Sequence, residues 1–147
     1  MPTVLNIKNI NNYITDHGMQ YIDNLKHMNH FDYKPVLIHR ILNRDEVKYR
    51  IKIQTLDFYD ELSYKLSSTN FFVINYNYDI PTDCLFVLLN YSHIIISQDI
   101  NLVKFGIYLN KKIISFGCNK LRKYSDRIIY LEKYTVSNIL KIISDVV

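Results

Sequence analysis

Apolar residues in this chain fall into short unbroken runs, separated by stretches in which they recur every three or four positions. The clearest unit is His93–Gly117, HIIISQDINLVKFGIYLNKKIISFG. Ile94, Ile95, Ile96 and Ser97 form an apolar run that ends in polar loop chemistry at Gln98–Asp99. Ile100, Val103 and Ile107, with Leu102 beside them, then recur at helical spacing. Asn110–Lys111 breaks that pattern, and Ile113, Ile114 and Phe116 make a second run before Gly117. Apolar strands on both sides of a helix are what a parallel sheet covered on both faces requires.

The pattern extends in both directions. Asp57–Ser68 predicts an amphipathic helix with Phe58 or Tyr59, Leu62 and Leu66 inward. Phe71–Asn75 predicts a buried strand, and Thr82 or Asp83 caps a helix running through Leu85, Val87, Leu88 and Leu89 to about Tyr91. Beyond the central unit come a basic loop over Leu121–Arg127, a strand over Ile128–Leu131 and a helix over Ser137–Val147. From Asp57 onward the order is α-β-α-β-α-β-β-α with short connections, the grammar of a three-layer doubly wound sandwich.

Upstream, Asp16 caps a helix from about Met19 to His30, with Met19, Ile22, Leu25 and Met28 on one face. Pro35–Leu42 is a strand and Asn43–Glu46 a turn. In Val47–Thr55 the residues Val47, Tyr49, Ile51, Ile53 and Thr55 alternate with Lys48, Arg50, Lys52 and Gln54, which predicts an antiparallel partner for that strand. The expectation is one domain, 1–147, of α/β class. It is a three-layer Rossmann-like fold with a mostly parallel sheet, a core over 57–147 and an antiparallel hairpin at one edge over 35–55. Residues 1–12 read equally as an arm or an edge strand.

Composition changes little in the fold and something in its origin. With 48% hydrophobic and 22% charged residues the chain has an ordinary globular balance. Ile, Asn, Lys and Tyr fill 63 positions, and Ala and Trp are absent. These four amino acids have AT-rich codons, so the bias points to an AT-rich genome, such as that of a large DNA virus, a low-GC bacterium or a protist, and accounts for the 13 tyrosines. A net charge of +4 is too mild and too scattered for a dedicated nucleic-acid binder. The runs of apolar residues are shorter than a membrane span needs, and the amino terminus has no signal-peptide pattern. The expectation is a cytoplasmic protein, in the host cytoplasm if viral.

Candidate chemistry is sparse. GxGxxG, GxxxxGK[ST] and GxSxG are all absent. Ligands of open α/β sheets sit beyond the carboxyl ends of the strands, which selects the loops 75–83, 97–99 and 117–120. Ser97, Gln98 and Asp99 begin the central helix, and Gly117, Asn119 and Lys120 offer a turn, polar groups and a cation. These six are the candidate ligand-binding residues. Asp79, Asp83 and Asp99 have capping or turn roles, and His93 at a strand entrance is a candidate base. His27 and His30 lie three apart but lack a third ligand nearby, and Cys84 and Cys118 form no ligand-spaced group, so no metal is expected.

Thr82–Gly117, together with Asp126–Val147, resembles the carboxy-terminal half of GT-B-type glycosyltransferases. The matching text is LLNYSHIIIS, QDINLVKFGIYL and NKKIISFG, then RIIYLEKYTVSNILKIISDV as the closing strand and helix. Polysaccharide pyruvyl transferases share a similar run, with a basic residue where Lys120 stands. The resemblance implies a nucleotide or nucleotide-sugar ligand over Ser97–Asp99 and Gly117–Lys120, without naming a catalytic residue or a cofactor. Two other classes stay open. One is a non-catalytic interaction protein that meets a protein partner or a second copy of itself. The other is a nucleic-acid contact through Lys48, Arg50, Lys52, Arg122 and Lys123.

Overall fold

The computed structural model describes residues 7–43, 51–77 and 79–146. A 3-10 helix over Ile7–Tyr13 leads into helix α1 (Asp16–Met28) and strand β1 (Lys34–His39). Then follow α2 (Leu56–Ser67), β2 (Phe71–Tyr76), α3 (Thr82–Tyr91), β3 (Ile94–Ile96) and α4 (Ile100–Tyr108). Strands β4 (Lys112–Phe116) and β5 (Ile128–Leu131) and helix α5 (Val136–Val146) close the chain. Short polar side chains start four of the helices. Thr15, Thr55, Asp99 and Thr135 accept from the backbone N–H groups of Gly18, Phe58, Asn101 and Asn138, which satisfies donors that the first turn leaves without a helical partner.

The five strands form one sheet in the order β2-β1-β3-β4-β5, and every pairing is parallel. One cluster of buried side chains joins α1, α3 and α4 to one face through Ile22, Leu88, Val103 and Phe105. A second joins α2 and α5 to the other through Tyr59, Leu62, Leu66, Ile139 and Ile143. The result is the three-layer Rossmann-like α/β fold that the apolar runs predict. Ile94, Ile95 and Ile96 are buried on both faces at the centre, each worth roughly 1.5–3 kcal/mol relative to exposure. The connection from β4 to β5 has no helix. Turns cross the face instead, and Cys118 and Leu121 bury there.

Three expectations change. Strand β1 takes β2 on one side and β3 on the other, so it has no free edge to receive an antiparallel hairpin partner over 35–55. Residues 44–50 of that hairpin lie outside the described residues, and 51–55 form no strand. Residues 7–12 belong to the 3-10 helix, packed on α3. In α1, Met19 and Met28 are exposed, and Gly18 and Ile22 are the buried residues. Gly18 tilts the contact toward α3, because a Cβ there would meet the Asp83 carbonyl oxygen at 2.9 Å.

Candidate ligand site at the carboxyl edge of the sheet

The strand register sets a row of polar side chains across the carboxyl edge. His39 is level with Tyr76, and Ser115 is level with Tyr130. Ser97 lies one residue beyond Ile96, which pairs with Ile38 and Ile114, so it falls between His39 and Ser115. His39, Tyr76, Ser97 and Ser115 are all buried. The His39 and Tyr76 ring centroids are 4.9 Å apart, and His39 Nδ1 is hydrogen-bonded to Ser97 Oγ at 2.7 Å. Ser97 Oγ also accepts from the Asp99 N–H at 3.0 Å. Burial pushes the His39 pKa down to about 4, against the opposing pull of the Asp99 carboxylate. In a 2-1-3-4-5 sheet the ligand crevice opens between β1 and β3. Here the protein's own side chains fill it.

A second layer of bonds closes the edge from outside. Gln98 Nε2 donates to the Lys52 carbonyl at 2.9 Å and to the Gly117 carbonyl at 3.5 Å. Its Oε1 accepts from the Tyr59 hydroxyl at 3.4 Å, and that hydroxyl accepts from the Ile41 N–H at 3.3 Å. The Lys52 N–H donates to the Gly117 carbonyl at 2.7 Å. Gly117 turns through φ +61°, and a Cβ there would meet Gln98 Nε2 at 2.7 Å. Only glycine fits that corner without strain.

The six sequence-predicted residues therefore divide. Gln98 meets Gly117, and Ser97, Gln98 and Asp99 are residues 1–7% exposed whose side chains are committed to internal bonds or to the α4 cap. Asn119 and Lys120 are exposed on the turn that follows. The 75–83 loop is drawn away from them. Asn75 accepts from Arg40 and Ser63, and Asp83 turns to Thr15 and His17. His93 sits at the amino end of β3, where burial and the charges of Lys112, Lys34 and Lys111 hold its pKa down. It belongs to the opposite edge from the candidate site.

Beside the closed crevice, beyond β4 and β5, lies an open cleft of about 490 Å³. Lys52, Gly117 and Asn119 line one side of it, and Tyr130, Glu132 and Tyr134 the other. The Tyr134 ring stacks on Phe116 with centroids 5.1 Å apart, and the Lys52 ammonium lies 5.6 Å from the Tyr134 centroid. The Tyr130 hydroxyl accepts from the Cys118 N–H at 3.2 Å, and Glu132 pairs with Arg122 at 2.7 Å. Gly117 and Asn119 are the predicted residues that reach this cleft. Lys52, Tyr130, Glu132 and Tyr134 were not singled out for it, because spacing along the chain does not join 52 to 130–134. The alternation of Tyr130, Glu132 and Tyr134 was the available signal.

Away from the cleft, His17, Asp83 and Cys84 bring together ligand atoms of a kind that bind metals. No helix among the described residues is long and apolar enough to cross a membrane. Neither a family model, nor a curated protein, nor a solved structure matches the chain.

Proposed function

We propose that the chain binds a nucleotide or nucleotide sugar in the cleft beyond β4 and β5. The observation that carries this reading is the pairing of tyrosine rings with the Lys52 ammonium and the Asn119 amide around about 490 Å³ of open space. That volume suits a small organic ligand. The Tyr130 and Tyr134 rings line the cleft and offer aromatic surface to a base, and the Asn119 amide has both a donor and an acceptor for a base edge. Lys52, with Lys120 on the adjoining turn, supplies positive charge for phosphate oxygens. The Glu132 carboxylate accepts hydrogen bonds from sugar hydroxyls. The resemblance of 82–117 and 126–147 to a nucleotide-sugar-binding half favours the same ligand class. In this reading Ser97, Gln98 and Asp99 form the frame, since Gln98 holds the Lys52 backbone and Gly117 in place while Ser97 and Asp99 bond to each other and to His39 and the α4 cap.

The test is a thermal-shift panel of nucleotides and nucleotide sugars with wild type, Tyr134→Ala and Asn119→Ala. The expected result is a rise in Tm with one ligand that is lost in both variants. Asp99→Ala is a poor control here, because it removes the α4 cap. No shift with any ligand, or a shift kept in both variants, overturns the proposal and favours a non-catalytic interaction protein.

A further inference from the structure

We infer that His17, Asp83 and Cys84 form a binding site for a divalent metal ion of zinc type. His17 stands in the first turn of α1, and Asp83 and Cys84 in the first turn of α3. His17 Nδ1 is 3.1 Å from Asp83 Oδ2 and 3.6 Å from Cys84 Sγ, and all three ligand atoms lie within 4.8 Å of one another. Zinc bonds of about 2.05 Å to nitrogen or oxygen and about 2.3 Å to sulfur, at tetrahedral angles, separate nitrogen from sulfur by roughly 3.6 Å and nitrogen from oxygen by roughly 3.3 Å. The nitrogen–oxygen and nitrogen–sulfur spacings lie close to those tetrahedral edges, and oxygen and sulfur lie within 4.8 Å of each other.

The surroundings hold the ligands in that arrangement. Gly18 lets α1 and α3 approach, since any Cβ would collide with the Asp83 carbonyl. Thr15 Oγ1 donates to Asp83 Oδ2 at 2.6 Å, and the Cys84 N–H donates to Asp83 Oδ1 at 2.9 Å. Such partners aim a carboxylate at a metal. His17 has a side chain 68% exposed, whereas Cys84 is buried. An ion therefore enters from the His17 side, with its fourth position facing water.

The donor set decides the metal class. Magnesium and calcium take oxygen ligands, whereas an imidazole and a thiolate suit zinc and its neighbours. A Cys–His–Asp nucleophile fits less well. In a catalytic triad the imidazole uses its two nitrogens for its two partners, and here the same Nδ1 faces both the carboxylate and the sulfur. On binding, the Cys84 S–H bond breaks, its proton leaves to solvent, and the thiolate becomes the ligand. The site is independent of the cleft.

The experiment titrates the full chain, freed of metal by chelator and kept reduced, with Co²⁺ and then Zn²⁺. The expected result is saturation at one equivalent, with a thiolate-to-cobalt charge-transfer band that Zn²⁺ abolishes. Cys84→Ser should lose the band, Cys118→Ser should keep it, and His17→Ala should lose saturable binding. His17 is exposed, so its variant keeps the fold by circular dichroism and tests the site separately from folding. Absence of the band in folded wild type overturns the site, as does a band that survives in Cys84→Ser or saturable binding that survives in His17→Ala.

Discussion

Gln98 Nε2 donates to the carbonyl of Lys52 at 2.9 Å, so one side chain at the end of β3 holds the backbone of a segment 46 residues upstream. The same amide reaches the Gly117 carbonyl, and its oxygen accepts from Tyr59. Gln98 itself is 2% exposed, so its amide works away from competing water. The closed crevice and the wall of the open cleft are thus one construction. Lys52 belongs to both.

Gln98→Ala removes one donor from each of the Lys52 and Gly117 carbonyls, which keep the Gln54 amide and the Lys52 N–H. The expected cost is about 0.5–1.5 kcal/mol in chemical denaturation. Amide hydrogen exchange at Lys52, whose N–H bonds to Gly117, should also speed up more than exchange at Ile95 in the central strand. Equal exchange at the two positions would show that Gln98 does not hold the segment.

His39 makes stability depend on pH in a stated window. Its pKa is about 4 in the folded chain, chiefly through burial, against about 6.5 in an unfolded one. Between those values the unfolded state binds more protons, so stability falls as pH drops. The contribution is full above about 6.5 and is lost by about 4, on the order of 3 kcal/mol in total. Asp83, held below the usual carboxylate range by the Thr15 hydroxyl, acts at lower pH and outside this window. Urea denaturation from pH 7 to 4 should show the slope, and His39→Gln should reduce it, leaving the part that His93 adds through its own lowered pKa.

The sheet was legible where local pattern and burial agree. Ile94–Ile96 and Ile113–Phe116 flank a helix, and only a parallel crossover buries both runs. In the described part of the Val47–Thr55 alternation, residues 51–55 form no strand, because a period of two does not decide whether the backbone finds a partner strand. Both sides of β1 are taken by β2 and β3, and Ile51 buries against the sheet's carboxyl edge without joining a strand. Met19 and Met28 have helical spacing with Ile22, yet the close approach at Gly18 turns them outward. Ser97–Asp99 and Gly117 were expected to face one ligand. The side chain that joins the two loops is Gln98, which also bonds to the Lys52 carbonyl and the Tyr59 hydroxyl, residues that local spacing does not connect to them. His17 with Asp83 and Cys84 lay beyond reach for the same reason, at separations of 66 and 67 residues.

Gly117→Ala tests the corner directly. The φ of +61° costs an L-residue roughly 1–2 kcal/mol, and the new methyl would meet Gln98 Nε2 at 2.7 Å and Lys52 Cβ at 3.4 Å. Destabilisation of about 2 kcal/mol or more is expected by urea denaturation. In the Gln98→Ala background the side-chain clash is gone, so the added cost of Gly117→Ala should shrink toward the backbone value alone. Strict additivity of the two substitutions would count against the contact.

Thr15 and Thr55 offer a matched pair of helix caps. Each accepts from a backbone N–H in the first turn of its helix, and a cap of this kind contributes about 1 kcal/mol. Thr15 does more, because its hydroxyl also donates to Asp83 at 2.6 Å and joins α1 to α3. Thr15→Ala should therefore destabilise more than Thr55→Ala, by about 1 kcal/mol for the lost charge-assisted bond. The excess should vanish when both are compared in an Asp83→Ala background, where the acceptor is gone, and shrink in Asp83→Asn, whose amide oxygen still accepts but without charge. Equal costs for the two threonines in the wild-type background would mean that the Thr15–Asp83 bond adds nothing to the joining of the two helices.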